Sequence, residues 1–355
     1  MFDRSIPVIG FHTRLYAHEE TGAMIRLIEE GLVPCGINTL ILEYLPVFRC
    51  FPEYSMGTVT FEDARRVSDV CREHGIRIVP LFPVCSHQAI PGTNYEPYPL
   101  LKKNPEFMET PENLNSGKRW PYQHMPCWCS SNDDIYQYVF PMIDEMAEAC
   151  RADTVHIGMD ELLYIGRCPR CKGKDPAKLY AHTIKTVHDH LKEKGMDTMI
   201  WGDRLLPAQQ MGYTMWEGDR SGIYRAIDLE EITKDLIICD WHYDFHSHGY
   251  PSIEYWLTRG FFMIPTVWID PKQAKHLFLH AQEGVFLGNM YDWPGTMGGV
   301  LFTHWSALTE EKTDLILKGI RGEKTNDEDE ANQVGLVIAA LKDKAAGIHF
   351  DPRID

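Results

Sequence analysis

The sequence contains no run of apolar residues approaching the roughly 18–20 that a membrane-crossing helix needs. It has no basic surplus: 35 Lys and Arg face 51 Asp and Glu, a net charge of −16. That balance argues against nucleic acid and anionic membrane as partners, since both require a basic face. It has neither a G-x-G-x-x-G nor a G-x-x-x-x-G-K-[ST] loop, so the glycine-rich phosphate cradles are excluded. The opening segment, MFDRSIPVIGFH, has no charged lead, long apolar stretch and small-residue cleavage site; a cytoplasmic protein, or one whose leader has been removed, is expected. Ten cysteines in 355 residues are too sparse for a small disulfide scaffold and fit a reducing compartment. There is no internal repeat, no low-complexity segment and no signal of oligomeric state.

A hydrophobic share of 44% supplies a sizeable core and excludes disorder. Eight short, β-branched apolar runs read as fully buried parallel strands: 6–11, 37–43, 76–82, 153–158, 197–202, 235–241, 261–268 and 298–304. Amphipathic helical segments intervene, clearest at 19–32, 61–74, 133–151 and 176–194, with Gly75 and Gly195 at helix-terminating positions. Eight strands with seven intervening helical stretches predict an α/β fold, a (β/α)8 TIM barrel. A doubly wound sheet usually has five to seven strands and a glycine-rich first turn. The barrel is expected to occupy residues 1–322 as a single catalytic domain, with a long loop at 83–132 after strand 3. Residues 323–355 are expected to form an acidic, solvated linker and a last helix, 329–345, packed on the barrel.

Barrel active sites form at the C-terminal ends of the strands. Those ends carry His12-Thr13-Arg14, Glu43-Tyr44, His87, Asp160-Glu161, Trp201-Gly202-Asp203, Asp240-Trp241-His242-Tyr243, Trp268-Ile269-Asp270 and His304-Trp305. Indole faces stack on the apolar faces of sugar rings, and carboxylates bind hydroxyls and move protons. The combination points to a glycoside-cleaving pocket; indoles that merely cap the core are the plainer alternative. Alternation along strand 4 turns His156, Gly158 and Asp160 toward the barrel axis, and Glu161 begins the following loop. Adjacent carboxylates repel each other, which raises the pKa of at least one, as a general acid requires. A helix cap or a salt-bridged acidic pair is the structural alternative.

Cys127-Trp128-Cys129 and Cys168-Pro169-Arg170-Cys171 supply the ligands of a structural four-cysteine zinc site joining the strand 3 loop to the segment after Glu161. Free thiols or a disulfide are the other readings. His242, His246 and His248 form a second histidine-rich segment, read as loop residues or sugar contacts, because strand 1 lacks the paired histidines of a metal-dependent barrel hydrolase.

The strand 4 segment His156-Ile157-Gly158-Met159-Asp160-Glu161 resembles the His-x-Gly-x-Asp-Glu signature of family 20 glycoside hydrolases, the β-N-acetylhexosaminidases. Arg14, His87, Trp201, Trp241 and Trp305 follow the family's order of site residues over roughly residues 5–310. Trp241-His242-Tyr243 and the Gly299 to Trp305 segment resemble the compact, D-type members. The resemblance implies a retaining exo-β-N-acetylhexosaminidase that acts on terminal β-linked GlcNAc or GalNAc of a glycan or glycoconjugate. No catalytic cofactor is implied. The 2-acetamido oxygen of the sugar would attack the anomeric carbon to give an oxazolinium ion. Glu161 would be the acid and then the base, and Asp160 would orient the acetamide. Arg14, His87, Trp201, Trp241, Tyr243, Trp268, Asp270 and Trp305 would bind the sugar.

The sequence departs from the family in three places. The small α/β domain that precedes the barrel in many secreted members is expected to be missing, since the first strand is read at 6–11. Trp268-Ile269-Asp270 stands where those members have Tyr-x-Asp, leaving Tyr243, then Tyr291, as donor to the acetamide. Trp305 is followed by Ser306-Ala307 rather than Glu. A glycosidase of the same fold acting on a sugar without the acetamide, and a non-catalytic sugar-binding barrel, are the competing functions.

Overall fold

The computed structural model describes residues 2–93, 96–110, 126–325 and 329–348. Parts of the long strand 3 loop (94–95 and 111–125), part of the acidic run (326–328) and the end of the chain lie outside the described residues. Eight parallel strands close into a barrel: β1 Val8–Leu15, β2 Thr39–Tyr44, β3 Arg77–Val84, β4 Thr154–Gly158, β5 Asp197–Trp201, β6 Ile237–Trp241, β7 Phe262–Val267, and β8 in two pieces, Thr296–Met297 and Gly299–Ala307. Each strand pairs with the next, and β8 returns to β1. The expected (β/α)8 barrel is the observed fold.

Alternation divides the apolar residues between two cores. Ile41, Val79, Leu81, Met199, Trp201, Ile237, Cys239, Phe262, Ile264 and Leu301 fill the barrel. Their neighbours, such as Leu40, Leu42, Ile78, Val155, Ile157 and Ile238, face the helices. Burial on both faces explains why the strands read as nearly continuous apolar runs. Helices Phe61–Glu73 and Pro176–Glu193 end as expected, with Gly75 and Gly195 in the left-handed region at φ 70° and 73°.

Two departures from a minimal barrel shape the site. The β5–β6 connection carries no long helix, only Ala208–Met211 and the 3-10 turns Asp203–Leu205 and Ile223–Asp228. Its residues Thr214, Trp216 and Glu217 instead reach the cavity at the barrel mouth. Second, the last helix, Glu330–Leu341, packs against Glu310–Ile320 at a crossing where Gly319 and Gly335 leave no room for a Cβ: each would come within 2.3 Å of a backbone oxygen. No helix among the described residues is long and apolar enough to cross a membrane.

Candidate active site

A cavity of about 710 Å³ opens at the C-terminal mouth of the barrel. Arg14, Glu43, His87, Asp160, Glu161, Trp241, Tyr243, Trp268 and Trp305 line it, together with Tyr98, Trp216 and Glu217. Strands from both halves of the chain therefore deliver carboxylates and aromatic faces to one concavity.

The backbone at the end of β4 is strained. Gly158, Met159 and Glu161 have φ of 66°, 72° and 49°, and beside them, at the end of the neighbouring β3, Cys85 and His87 have 63° and 53°. For non-glycine residues this conformation costs on the order of 1–3 kcal/mol and clusters at functional sites. The Tyr180 hydroxyl donates to the Met159 carbonyl at 3.0 Å, and the Asp203 carboxylate accepts the Glu161 N–H at 2.9 Å. These bonds hold the turn that aims both carboxylates into the cavity.

His87 stands against both carboxylates, its Nε2 3.2 Å from Asp160 Oδ2 and 3.6 Å from Glu161 Oε2. Burial alone would lower the imidazole pKa, but Asp160 and then Glu161 raise it to about 9. Burial would push the Asp160 carboxyl up, yet the His87 charge holds it below its ordinary value. The repulsion expected between adjacent carboxylates is thus relieved at Asp160 by an imidazolium.

Arg14 leaves β1 beside a bulge in β8, where His12 pairs with Thr303 but Arg14 pairs with Ala307. Its Nε donates to Glu43 Oε2 at 2.7 Å, its Nη1 donates to the Trp305 carbonyl at 2.8 Å, and the guanidinium lies 4.7 Å from the Trp305 ring centroid. Burial works against the Glu43 charge, but Arg14 and His12 hold its pKa at about 2. The result is a fixed ion pair at the cavity wall, with guanidinium donors suited to sugar hydroxyls.

Trp241, Tyr243 and Trp268 form a continuous aromatic wall, with ring centroids 5.0 and 5.3 Å apart. The Trp305 indole donates to the Tyr243 hydroxyl at 3.0 Å. The Thr303 hydroxyl donates to the Val267 carbonyl at 2.9 Å, so the Tyr243–Thr303 bond of 3.1 Å uses the tyrosine proton. The Trp268 indole donates to Glu330 of the last helix at 2.8 Å, and the same oxygen accepts the Trp305 N–H at 2.6 Å. The Ser306 hydroxyl donates to the other Glu330 oxygen. Glu330, expected within a solvated acidic run, is instead a tertiary clamp.

Three expected positions lie elsewhere. Trp201 is buried inside the barrel against His12, His156 and Trp305, beneath the cavity wall. Asp270 is exposed and caps helix Pro271–Tyr291 through the Lys272 N–H at 2.8 Å. Tyr291 is 62% exposed at the far end of that helix.

Some contributors carried no role in the sequence reading. Glu43 and Asp203 stand at strand ends, which was the available signal. Asp203 accepts the Trp241 indole N–H at 3.3 Å and the Arg204 Nε–H at 2.6 Å besides the Glu161 N–H. Trp216 and Glu217 lie on a connection without periodicity, and Glu330 opens the last helix inside an acidic run, so no local pattern marks them.

Two clusters, one buried and one partly buried, bring metal-ligating atoms close together. Glu217, His242 and His246 lie within 4.8 Å of one another, without His248. Hydrogen bonds already join them: His242 Nδ1 and His246 Nε2 lie 3.2 and 3.0 Å from Glu217, and His242 Nε2 lies 2.8 Å from Ser252. The other cluster holds Cys129, Cys168 and Cys171 with Glu109. Cys127 is not in it, because its thiol points instead to the Tyr164 carbonyl at 3.1 Å. The expected four-cysteine set is therefore corrected to three cysteines and a carboxylate.

A sequence model described as the catalytic domain of glycosyl hydrolase family 20 matches residues 26–252. No curated protein matches the chain in sequence. Among solved structures, a β-N-acetylhexosaminidase from Bacteroides fragilis NCTC 9343 superposes with a TM-score of 0.58 at 13% identity, covering 92% of this chain and 66% of its own. A chitobiase from Flavobacterium johnsoniae gives 0.58 at 15% identity, covering 96% and 52%. This chain thus spans about two thirds and about half of those two proteins. Dispersin B gives 0.54 at 14% identity, covering 95% of this chain and 99% of its own. At these identities the superpositions show a shared fold.

Proposed function

The chain belongs to glycosyl hydrolase family 20, and on that premise we propose that it is a retaining exo-β-N-acetylhexosaminidase. Its substrate is a glycan or glycoconjugate with terminal β-linked GlcNAc or GalNAc. The observation that carries the proposal is the placement of Asp160 and Glu161 side by side in one aromatic-walled cavity, both facing His87. A glycosidase that uses its own nucleophile places two carboxyl groups about 5–5.5 Å apart on opposite sides of the scissile bond. Adjacent carboxylates instead suit a reaction in which the substrate brings the nucleophile.

In this mechanism Glu161 protonates the leaving oxygen as the acetamido oxygen attacks the anomeric carbon. The glycosidic C–O bond breaks and an oxazolinium ion forms. Asp160, kept ionised by His87, accepts the acetamide N–H and stabilises its developing positive charge. Glu161, now a carboxylate, takes a proton from the water that opens the ring, restoring both enzyme and β-configuration. Tyr243 turns its proton from Thr303 to the acetamido oxygen. Trp241, Trp268 and Trp305 pack around the sugar and its acetamide, while Arg14, oriented by Glu43, binds ring hydroxyls. The relatives named as hexosaminidases support this substrate class.

The test is hydrolysis of aryl N-acetyl-β-glucosaminide and galactosaminide beside aryl β-glucoside and galactoside. Cleavage confined to the acetamido sugars is expected, with Glu161→Gln slower by at least about a hundredfold. Cleavage of only the plain glycosides, or of none by folded protein, would overturn the proposal.

A further inference from the structure

The cluster of Glu109, Cys129, Cys168 and Cys171 has no part in the proposed reaction. Its four ligand atoms are buried and lie within 4.8 Å of one another. Cys129 Sγ is 3.3 Å from Cys168 Sγ and 3.4 Å from Cys171 Sγ. Tetrahedral zinc with Zn–S bonds of about 2.3 Å separates its sulfurs by about 3.8 Å, so the site needs to open by only about half an ångström.

Local structure builds this site from two distant segments. Residues 107–109 and 127–129 run antiparallel through the Met108–Trp128 bridge, the Cys129 N–H donating to Phe107 O at 2.7 Å and the Glu109 N–H donating to Cys127 O at 3.0 Å. Opposite them, Cys168-Pro169-Arg170-Cys171 turns tightly, with the Cys171 and Lys172 N–H groups donating to Cys168 O at 3.0 and 2.8 Å. This presents both thiols to one point.

A second observation is independent of the thiols. Glu109 is 1% exposed. One of its oxygens accepts the N–H groups of Arg167 and Cys168, while the other, Oε2, is buried without a hydrogen-bond partner among the described residues. A buried carboxylate oxygen left unpaired is costly, and a cation among the thiolates would satisfy it.

We propose that Glu109, Cys129, Cys168 and Cys171 bind one structural zinc ion that ties the loop after β3 to the segment following Glu161. Three thiolates and a carboxylate select a thiophilic divalent ion, and four protein ligands leave no open position for catalysis. Binding releases the thiol protons to solvent. The exposed Arg167, Arg170, Lys172 and Lys174 flank the site and offset its excess negative charge. Cys127 stays outside the coordination sphere.

The test is the metal content and zinc-edge X-ray absorption of the full chain, purified under reducing conditions without chelator and reconstituted with zinc. About one zinc per chain is expected, with three sulfur neighbours and one oxygen. Cys168→Ser and Glu109→Ala should weaken retention against a competing chelator by at least about tenfold, while Cys127→Ser should retain the metal. No bound zinc, a disulfide among these cysteines, or a four-sulfur shell would overturn the proposal. The absorption spectrum uses the unaltered protein, so it decides the ligand set even if a variant fails to fold.

Discussion

The Glu330 carboxylate accepts the Trp268 indole N–H at 2.8 Å, binding the last helix of the chain to a wall of the cavity. The same oxygen holds the Trp305 backbone N–H. Burial opposes its charge, but His304, Ser306 and the two tryptophans keep its pKa below the ordinary glutamate value. Glu330→Ala leaves three donors without their acceptor. A loss of roughly 2–4 kcal/mol in stability is expected, since hydrogen bonds to charged groups contribute about 1.5–3 kcal/mol each. If the clamp also shapes the cavity, KM should rise more than kcat falls. Urea unfolding with steady-state kinetics reads both; unchanged KM would reduce Glu330 to a fold contact.

Asp203 does not itself line the cavity but holds two residues that do, through the Glu161 N–H and the Trp241 indole. Asp203→Asn should lower kcat roughly 10–100-fold, the scale of a small misplacement of reacting groups, while KM changes little. Because Asp203 also pairs with buried Arg204 at 2.6 Å, a thermal melt must accompany the kinetics. An unchanged kcat in folded protein would remove Asp203 from the positioning of Glu161.

His87 sets a pH dependence. Folding raises its pKa from 6.5 to about 9, so it binds its proton more tightly in the folded state. Its contribution to stability is therefore complete below about 6.5 and is lost as pH rises through about 9. Asp160 has the opposite sign: its lowered pKa stabilises the fold above its ordinary value of 3.8 and that gain is lost as pH falls. Denaturant midpoints from pH 6 to 10 should show the alkaline loss, and His87→Asn should remove it. An identical alkaline profile in the variant would place the titrating group elsewhere.

Tyr243 has one proton and gives it to Thr303 in the free protein. Thr303→Val removes that acceptor and should leave the tyrosine proton free for the acetamide, lowering KM or leaving it unchanged. Tyr243→Phe should lower kcat/KM by about 10²–10³, the usual effect of losing one donor to a developing charge. Equal behaviour of the two variants would mean that Tyr243 serves only the aromatic wall.

The fold was legible because eight strands buried on both faces leave eight apolar runs, and because Gly75 and Gly195 mark helix ends. Asp160 and Glu161 were legible because they follow a strand directly. Height along the barrel was not: Trp201 and Trp305 both stand at strand ends, yet one lies beneath the cavity and the other in its wall. Asp270 follows β7 but caps a helix, a choice made by the backbone of the turn. Glu109 and Glu330 act through contacts with distant segments, which no local pattern records. Cys127 and Cys129 share a spacing that admits both to a metal site, and only the packing of Tyr164 turns one away.

The central claim is that the substrate's acetamide, oriented by Asp160, is the nucleophile. It is tested most directly by the rates of aryl β-glucosaminides whose N-acetyl group carries zero to three fluorines. Fluorine withdraws electron density from the amide oxygen without adding much bulk. The account predicts that kcat/KM falls steeply with each fluorine. Rates independent of fluorination would contradict it and assign the attack to a group on the protein.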